Sequence, residues 1–158
     1  MWVRIGNEEY FDDCNGIIRS SSSLHQISVP LKALDEAGEY TVCYRKIIGK
    51  RLPYGTKTAK IKEYKYSFSP IKSGDEIRIY HVSDSHGRVD DAVESAKYAG
   101  DFNLLVMNGD IANHSGSVEN IESAYLISSG ITGGNKPCVF SRGNHDLRGN
   151  CAELLGEY

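Results

Sequence analysis

The part of the sequence that follows Asp75 alternates regularly between strand patterns and helix patterns. Strands are predicted at residues 76–82, 102–107 and 137–141, the second of them apolar in the manner of a strand covered on both faces. Helices are predicted at residues 89–98, 117–127 and 147–155, the second with Ser117 at its entry and Gly130 beyond its end. This order is typical of α/β architecture, in which the strands form a parallel sheet.

The preceding residues, up to about 70, read instead as β structure. Five short strands are predicted, at residues 2–5, 16–19, 25–29, 40–44 and 64–68. Turn-forming clusters separate them, and no amphipathic helix is predicted among them. Such a series predicts a small, mainly antiparallel β domain packed as a sandwich, with too few strands for a complete one. We therefore expect a partial β-sandwich over 1–72 and an α/β domain over 73–158, joined by a linker at 70–74.

Size and charge limit the classes of function that remain. The chain has 158 residues, enough for one sizeable core or two small ones. Its net charge is −3 and no run of Lys or Arg stands apart from acidic neighbours, so no nucleic-acid platform is predicted. It lacks both an apolar stretch of about 18 residues and a secretory signal at its start. We expect no membrane span and a soluble chain, cytoplasmic or secreted from a longer precursor; the oligomeric state stays open.

The cysteines lie at wide, unequal spacings with no Cys-x-x-Cys pair. They are Cys14, Cys43, Cys138 and Cys151. This spacing argues against a structural zinc site and against a dense disulfide scaffold. We expect mostly buried or free thiols, with the redox compartment left open.

Polar residues follow each predicted strand of the α/β half, at the end where ligands bind to parallel sheets. The candidates are Asp84, His86, Asp110, Asn144, His145 and Asp146. Any one of these short segments alone is typical of a turn or a helix cap. Three in series, each rich in oxygen and imidazole ligands, indicate a metal site, because parallel strands bring their carboxyl ends together.

Carboxylates and imidazoles in this pattern suit the hydrolysis of a small phosphate ester. Two divalent cations about 3.5 to 4 Å apart can generate hydroxide and stabilise both the entering and the leaving oxygens. A shared carboxylate can set that spacing, and Asp110 is the obvious bridge. The mixture of ligands favours zinc, manganese or iron over calcium, which prefers oxygen alone.

These segments resemble the first three signature blocks of the calcineurin-like metallophosphoesterases. The blocks are Asp84-Ser85-His86, Gly109-Asp110 and Gly143-Asn144-His145-Asp146, and the resemblance covers residues 77 to about 150. It implies that Asp84 and His86 hold one metal, that Asp110 bridges both, and that Asn144 holds the second. It also implies that His145 stabilises or protonates the leaving oxygen of the ester, with Asp146 orienting its ring.

Residues 1 to about 70 resemble, more loosely, the fibronectin type III-like sandwich that precedes the catalytic domain in purple-acid-phosphatase-like members. The purple ferric site is not expected, because Asn113 stands where those enzymes have tyrosine and His86 where they have glycine. The later histidine blocks of the family are not found in the chain. The resemblance therefore implies the amino-terminal half of a catalytic domain, which we expect to be poorly active or inactive by itself.

Other interpretations stay open beside this one. The β region could bind a partner while the α/β half is catalytically silent, which would make the chain an adaptor. A serine hydrolase using Ser85 with His145 and Asp146 is disfavoured, because Gly-x-Ser-x-Gly is absent and adjacent His and Asp side chains do not readily form a triad. Arg142 and Arg148 could pair with a substrate phosphate or be ordinary surface arginines.

Overall fold

A computed structural model describes residues 1–12, 25–52, 55–74 and 76–155. The chain divides into two compact units, Met1–Phe68 and Ser69–Tyr158, called unit one and unit two below. Among the described residues, no helix has both the length and the apolar character that crossing a membrane requires.

Unit one is built mainly from antiparallel strands. Its four-stranded sheet has the order β2-β1-β3-β6 and consists of β1 (Trp2–Ile5), β2 (Glu8–Phe11), β3 (Glu39–Tyr44) and β6 (Lys62–Ser67). A separate antiparallel pair consists of β4 (Ile47–Leu52) and β5 (Gly55–Thr58). One short helix, α1, spans Leu31–Ala37 and ends at Gly38, whose φ is 63°. The prediction that this unit is part of a sandwich stays a prediction.

The strands predicted at 2–5, 40–44 and 64–68 are confirmed by β1, β3 and β6. The one predicted at 16–19 lies outside the described residues. The one predicted at 25–29 is wrong: the His25 ring pairs with the buried Asp12 carboxylate, and Pro30 then leads into α1. The alternation of apolar residues in this segment therefore reflects side-chain contacts, and not pairing with a neighbouring strand.

Unit two has the predicted α/β fold. In chain order it contains β7 (Ile79–Val82), α2 (Val89–Ala96), β8 (Leu104–Asn108), α3 (Val118–Thr132), β9 (Cys138–Ser141) and a short 3₁₀ helix (Ala152–Leu155). The three strands form a parallel sheet in the order β7-β8-β9. The purely sequence-based prediction of a parallel sheet is therefore confirmed.

The register of this sheet aligns the ends of its strands. Val82 at the end of β7 pairs with Met107, and Asn108 at the end of β8 pairs with Ser141 at the end of β9. Residues of the sheet and of both helices share one buried cluster, formed by Val82, Ala92, Phe102, Leu105, Met107, Ile111, Ile121, Ala124, Ile127 and Leu155. Burial of this apolar surface fixes the sheet against α2 and α3, so the loops after the strands start side by side.

Helix α3 continues past Gly130, where the sequence predicted that it would already have ended. It ends at Gly133, whose φ of 61° and N–H bond to Ser129 O form the expected glycine cap. A Cβ at position 130 would lie 2.6 Å from Val93 Cγ2 of α2. Gly130 therefore allows close approach of the two helices and does not terminate α3.

The helix predicted at 147–155 is wrong except for its last turn. Residues before Ala152 form turns, and only Ala152–Leu155 is helical. The buried Ser115 takes the backbone groups that a helix would use: its N–H donates to Arg148 O and its C=O accepts from Cys151 N, both at 2.9 Å. A tertiary contact thus replaces the local helical hydrogen bonds.

The described thiols are free, as the cysteine spacing predicted. Cys43, Cys138 and Cys151 form no disulfide, and Cys14 lies outside the described residues. Cys43 is buried within unit one, and this burial raises the pKa of its thiol. Its packing in the core of the sheet is the role that the structure supports.

Replacing Ser117 with Ala should destabilise unit two modestly. Ser117 Oγ accepts from the backbone N–H of Asn120 at 3.4 Å and from the Asn120 side chain at 3.0 Å, which caps the start of α3. We expect the free energy of unfolding to fall by about 1 kcal/mol, the usual value of a serine cap. Ser129→Ala in the same helix is the matched control.

The Ser129 hydroxyl donates back to Leu126 O within the helix, at 3.2 Å. Its removal should leave stability within about 0.5 kcal/mol of the parent, because alanine has the better helix propensity. Urea unfolding would measure the free energy of unfolding of both variants, and amide hydrogen exchange would measure the protection of α3. Equal stability of the two variants would contradict the capping role of Ser117.

Candidate metal centre

The backbone takes an unusual conformation at three of the predicted ligands. Asp84, His86 and Asp110 have φ values of 54°, 46° and 53°, and they are the only non-glycine residues with positive φ among those described. A left-handed conformation costs roughly 1–2 kcal/mol at a non-glycine residue. Strain of this kind persists where surrounding contacts impose it, which happens preferentially at functional sites.

The contacts that impose it join the loop after β7 to the loop after β8. Asp84 N donates to Gly109 O at 3.1 Å, and His86 N donates to Asp110 O at 3.0 Å. Ser85 Oγ donates to Ile111 O at 3.1 Å. The hydroxyl of Ser85 is therefore tied to the backbone, which adds a structural argument against Ser85 as a nucleophile.

The loop after β9 approaches the loop after β8 so closely that only glycine fits. A Cβ at Gly143 would lie 2.3 Å from Asp110 Oδ1 and 2.5 Å from Asp110 N. A Cβ at Gly109, whose φ is 78°, would lie 2.9 Å from Gly143 Cα. These two glycines let the third loop deliver its hydrogen-bond donors to the Asp110 carboxylate.

Both oxygens of the Asp110 carboxylate accept hydrogen bonds from the third loop. Oδ1 accepts from His145 N at 2.8 Å. In the amide orientation that satisfies both of its neighbours, Asn144 Nδ2 donates to Asp110 Oδ2 at 3.0 Å. The carboxylate is thus held in place between the predicted ligands, as a bridging group needs to be.

Two imidazole side chains converge beside this carboxylate. Each of His86, Asp110 and His145 offers a ligand atom, and the three atoms lie within 4.8 Å of one another. The His86 and His145 rings meet edge to face, with centroids 4.6 Å apart. His86 Nδ1 is buried and has no hydrogen-bond partner in the described part of the chain. A buried imidazole nitrogen without a partner is costly, and a divalent cation would satisfy it, so this donor set fits a metal ion.

The other predicted ligands lie at the rim of this group. Asp84 is exposed at the end of β7, and its carboxylate is not a member of the three-residue group. Asn144 is also exposed, and its amide oxygen accepts from Arg148 Nη2 at 2.6 Å. The structure therefore brings His86, Asp110, Asn144 and His145 together. The metal-ligand roles of Asp84, His86, Asp110 and Asn144 stay predictions, and so does the catalytic role of His145.

The predicted pairing of Asp146 with the His145 ring is wrong. Asp146 is fully buried, with Oδ1 accepting from Ala112 N at 2.9 Å and Oδ2 from Gly143 N at 2.8 Å. The His145 ring instead places Nδ1 2.7 Å from Asn113 O. Consecutive side chains leave the backbone in different directions, so Asp146 fastens the loops while a backbone carbonyl orients the histidine.

This arrangement selects one tautomer of neutral His145. A carbonyl oxygen can only accept, so Nδ1 carries the proton and Nε2 keeps its lone pair. Nε2 lies 3.4 Å from Arg148 Nη1, which can donate to it. The contribution of Asn113 was not predicted, because a backbone carbonyl leaves no trace in residue type.

The sequence left open whether Arg148 pairs with a substrate phosphate or is an ordinary surface arginine. In the structure its guanidinium contacts Asn144 and His145. The sequence signal that could have revealed this contact was spacing, since a turn returns the chain after three residues and Arg148 follows His145 by three.

His114 lies in the loop after β8 and makes a contact within that loop. Its Nδ1 accepts from Gly116 N at 3.1 Å, and it is not a member of the three-residue group.

Comparison with known proteins agrees with this geometry. The model of the calcineurin-like phosphoesterase family matches residues 77–158, which is more than half of the chain. Searches of curated proteins and of solved structures gave no significant match. The matched segment contains the whole parallel sheet and all three loops of the candidate centre. The chain belongs to the calcineurin-like phosphoesterase family, whose characteristic activity is metal-dependent hydrolysis of phosphate esters.

Proposed function

We propose that this chain contributes to a dinuclear centre that hydrolyses a small phosphate mono- or diester. The observation that carries the proposal is the unpartnered, buried His86 Nδ1 beside Asp110 and His145, at the carboxyl edge of a parallel sheet. Manganese, iron and zinc are the ions that such mixed ligands suit. In this proposal Asp84 and His86 would hold one ion, Asn144 would hold the second, and Asp110 would be shared between them.

Bound ions of this kind would supply hydroxide and neutralise charge on the phosphate. The residues of the chain prepare the site for them. The N–H of His145 and the amide of Asn144 position the Asp110 carboxylate, so a bridging ligand needs little reorganisation when metal arrives. Asp84 and His86 are held in strained conformations by the adjoining loop, which limits where their side chains can go.

His145 is the proposed acid at the leaving oxygen. Its Nδ1–H donates to Asn113 O, which fixes the ring and leaves Nε2 to take up and deliver a proton. The carbonyl also stabilises the protonated ring, because both ring nitrogens are donors in that form. Asp146 acts one step away, by holding the loop that carries the histidine.

The ligands in this set number fewer than two transition-metal ions usually require. We therefore propose that further ligands come from residues outside this set, and that the chain alone binds metal weakly. The chain alone should bind Mn²⁺ with a dissociation constant of roughly 0.1 mM or weaker and should cleave p-nitrophenyl phosphate and its bis-ester poorly or not at all.

The test compares two preparations. The first is the chain alone, and the second is the chain with a further polypeptide segment that supplies the additional ligands, either fused to it or added in trans. The second preparation is called the completed protein. Completion should tighten Mn²⁺ and Zn²⁺ binding and produce metal-dependent release of nitrophenol, which chelation should abolish. Equal absence of metal binding and turnover in both preparations would contradict the proposed function.

One observation favours a second candidate, a binding module. On the sheet of unit one, Tyr40 stacks on Tyr66 at 5.2 Å and Tyr44 stacks on Tyr64 at 6.1 Å between ring centroids, and Tyr64 is 47% exposed. Partly exposed aromatic rings can contact a partner. Metal binding separates the two candidates, because an adaptor with a silent centre would bind no Mn²⁺ or Zn²⁺ even when completed.

A further inference from the structure

The backbone of Arg148 is fixed from two sides. Its N–H donates to His145 O at 3.1 Å, which closes a turn, and its C=O accepts from the buried Ser115 N at 2.9 Å. Gly149 packs so tightly on this contact that a Cβ would lie 2.3 Å from Ser115 O. The side chain of Arg148 therefore starts from a defined position close to Asn144 and His145.

The guanidinium of Arg148 lies on two atoms to which the proposed reaction gives roles. In the amide orientation that satisfies both neighbours of Asn144, Nη2 donates to Asn144 Oδ1 at 2.6 Å, and Nη1 lies 3.4 Å from His145 Nε2. Arg4, Arg78 and Arg88 each form an ion pair with a carboxylate. No ion pair with a carboxylate involves Arg148 within the ranges 1–12, 25–52, 55–74 and 76–155, so its guanidinium contacts an amide oxygen and an imidazole nitrogen.

The guanidinium of Arg148 and a metal ion would compete for Asn144 Oδ1. The amide oxygen is the ligand atom of Asn144, and a divalent cation bound there would repel the nearby positive charge of Arg148. The planar guanidinium matches two oxygens of a phosphate, and a phosphate ester bound at His145 would lie within the range of the displaced side chain.

We infer that Arg148 occupies the cation position at Asn144 Oδ1 in the metal-free chain, and that metal binding releases it to hold a phosphate oxygen of the ester. The inference rests on the proposed function and names an additional positioning residue for it. Arg148 thus lowers the affinity of the chain for the second metal and raises the affinity of the metal-loaded site for phosphate.

The first test measures Mn²⁺ binding to the metal-free chain by electron paramagnetic resonance. Arg148→Gln should bind Mn²⁺ about 10-fold more tightly than the parent, because a charge-assisted hydrogen bond and a repulsive charge are both removed. Arg148→Lys should lie between the two. Arg142→Gln is the matched control: it removes the same charge from the same loop, and Arg142 is exposed and has no hydrogen bond to Asn144 or His145 in the described structure.

The second test measures binding of inorganic phosphate to the Mn²⁺-loaded chain through the relaxation of its phosphorus resonance. Arg148→Gln should weaken phosphate binding about 10-fold, whereas Arg142→Gln should change it less than about twofold. Opposite shifts in the two affinities are specific to the proposed exchange, since simple damage to the loop would weaken both.

The outcomes separate this inference from the proposed function. Measurable Mn²⁺ binding by the parent with no tightening in Arg148→Gln, or with unchanged phosphate affinity, would overturn the role of Arg148 alone. Mn²⁺ binding only by Arg148→Gln would support it. Absence of Mn²⁺ binding by the parent and by Arg148→Gln, in the chain alone and in the completed protein, would overturn both.

Discussion

Replacing Asp110 with Asn should weaken Mn²⁺ binding by about 100-fold or more, since even changes to groups that only hydrogen-bond a ligand cost 10- to 100-fold. Asp110 is the one carboxylate in the group of three converging side chains, and it is the proposed bridge between both ions. Its charge would offset the repulsion between the two proposed divalent cations, which an amide could not do. In the completed protein, hydrolysis of the phosphate ester should be lost together with the metal.

The substitution should leave the fold intact. The amide oxygen of Asn can accept from His145 N, as Asp110 Oδ1 does. The amide of Asn144 can turn to meet the new NH₂ group that replaces Oδ2, with loss of its hydrogen bond from the exposed Arg148 side chain. Electron paramagnetic resonance of Mn²⁺ would measure the affinity, and an amide correlation spectrum would confirm that unit two stays folded.

Asp101→Asn is the control for loss of a single negative charge in unit two. Asp101 is exposed and forms a surface pair with Lys136 at 3.3 Å, outside the group of converging ligands. Its replacement should change Mn²⁺ affinity less than about twofold, because exposed charges are screened. An Mn²⁺ affinity of a folded Asp110→Asn variant equal to that of the parent would remove the bridge from the proposal.

The sequence predicted the sheet and the location of the site because both depend on signals that repeat along the chain. Alternation of strands and helices specifies parallel strands, and parallel strands place Asp84, Asp110 and Asn144 after neighbouring ends without any knowledge of side-chain contacts. The register of β7, β8 and β9 then brings the loops together. These are consequences of topology, which patterns of hydrophobicity encode.

The wrong predictions fall where a contact distant in sequence overrides a local preference. Glycine often terminates a helix, but at position 130 its missing side chain makes room for Val93, which lies 37 positions earlier in the sequence. In the segment predicted as a helix at 147–155, backbone groups that a helix would use are hydrogen-bonded to Ser115 instead. No windowed pattern contains these partners, so only the assembled core reveals them.

The neighbouring residues His145 and Asp146 show the same limit at the site itself. The family resemblance implied a histidine oriented by the adjacent carboxylate, which is a common arrangement. The carboxylate is instead used by Ala112 N and Gly143 N, and the histidine by Asn113 O. Sequence spacing predicted that these residues lie close together, but it could not predict which atoms face each other.

Replacing Asp146 with Asn should therefore lower the free energy of unfolding of unit two by about 2–4 kcal/mol, since each hydrogen bond to a buried charged group contributes roughly 1.5–3 kcal/mol. Asn offers one acceptor oxygen where two backbone donors need one each. Its NH₂ group would then face either Ala112 N–H or Gly143 N–H. Relief from burying a charge offsets part of this loss, which keeps the estimate below the sum of two bonds.

Amide hydrogen exchange of Leu105 and Met107 would measure this loss, because both lie in the buried central strand of unit two. Asp101→Asn again serves as the control and should change stability by less than about 1 kcal/mol, as expected for an exposed pair. If Asp146 instead oriented the His145 ring, its replacement would leave exchange unchanged while lowering turnover in the completed protein. The two roles predict opposite pairs of results, so one variant distinguishes a carboxylate that fastens the loops from one that assists proton transfer.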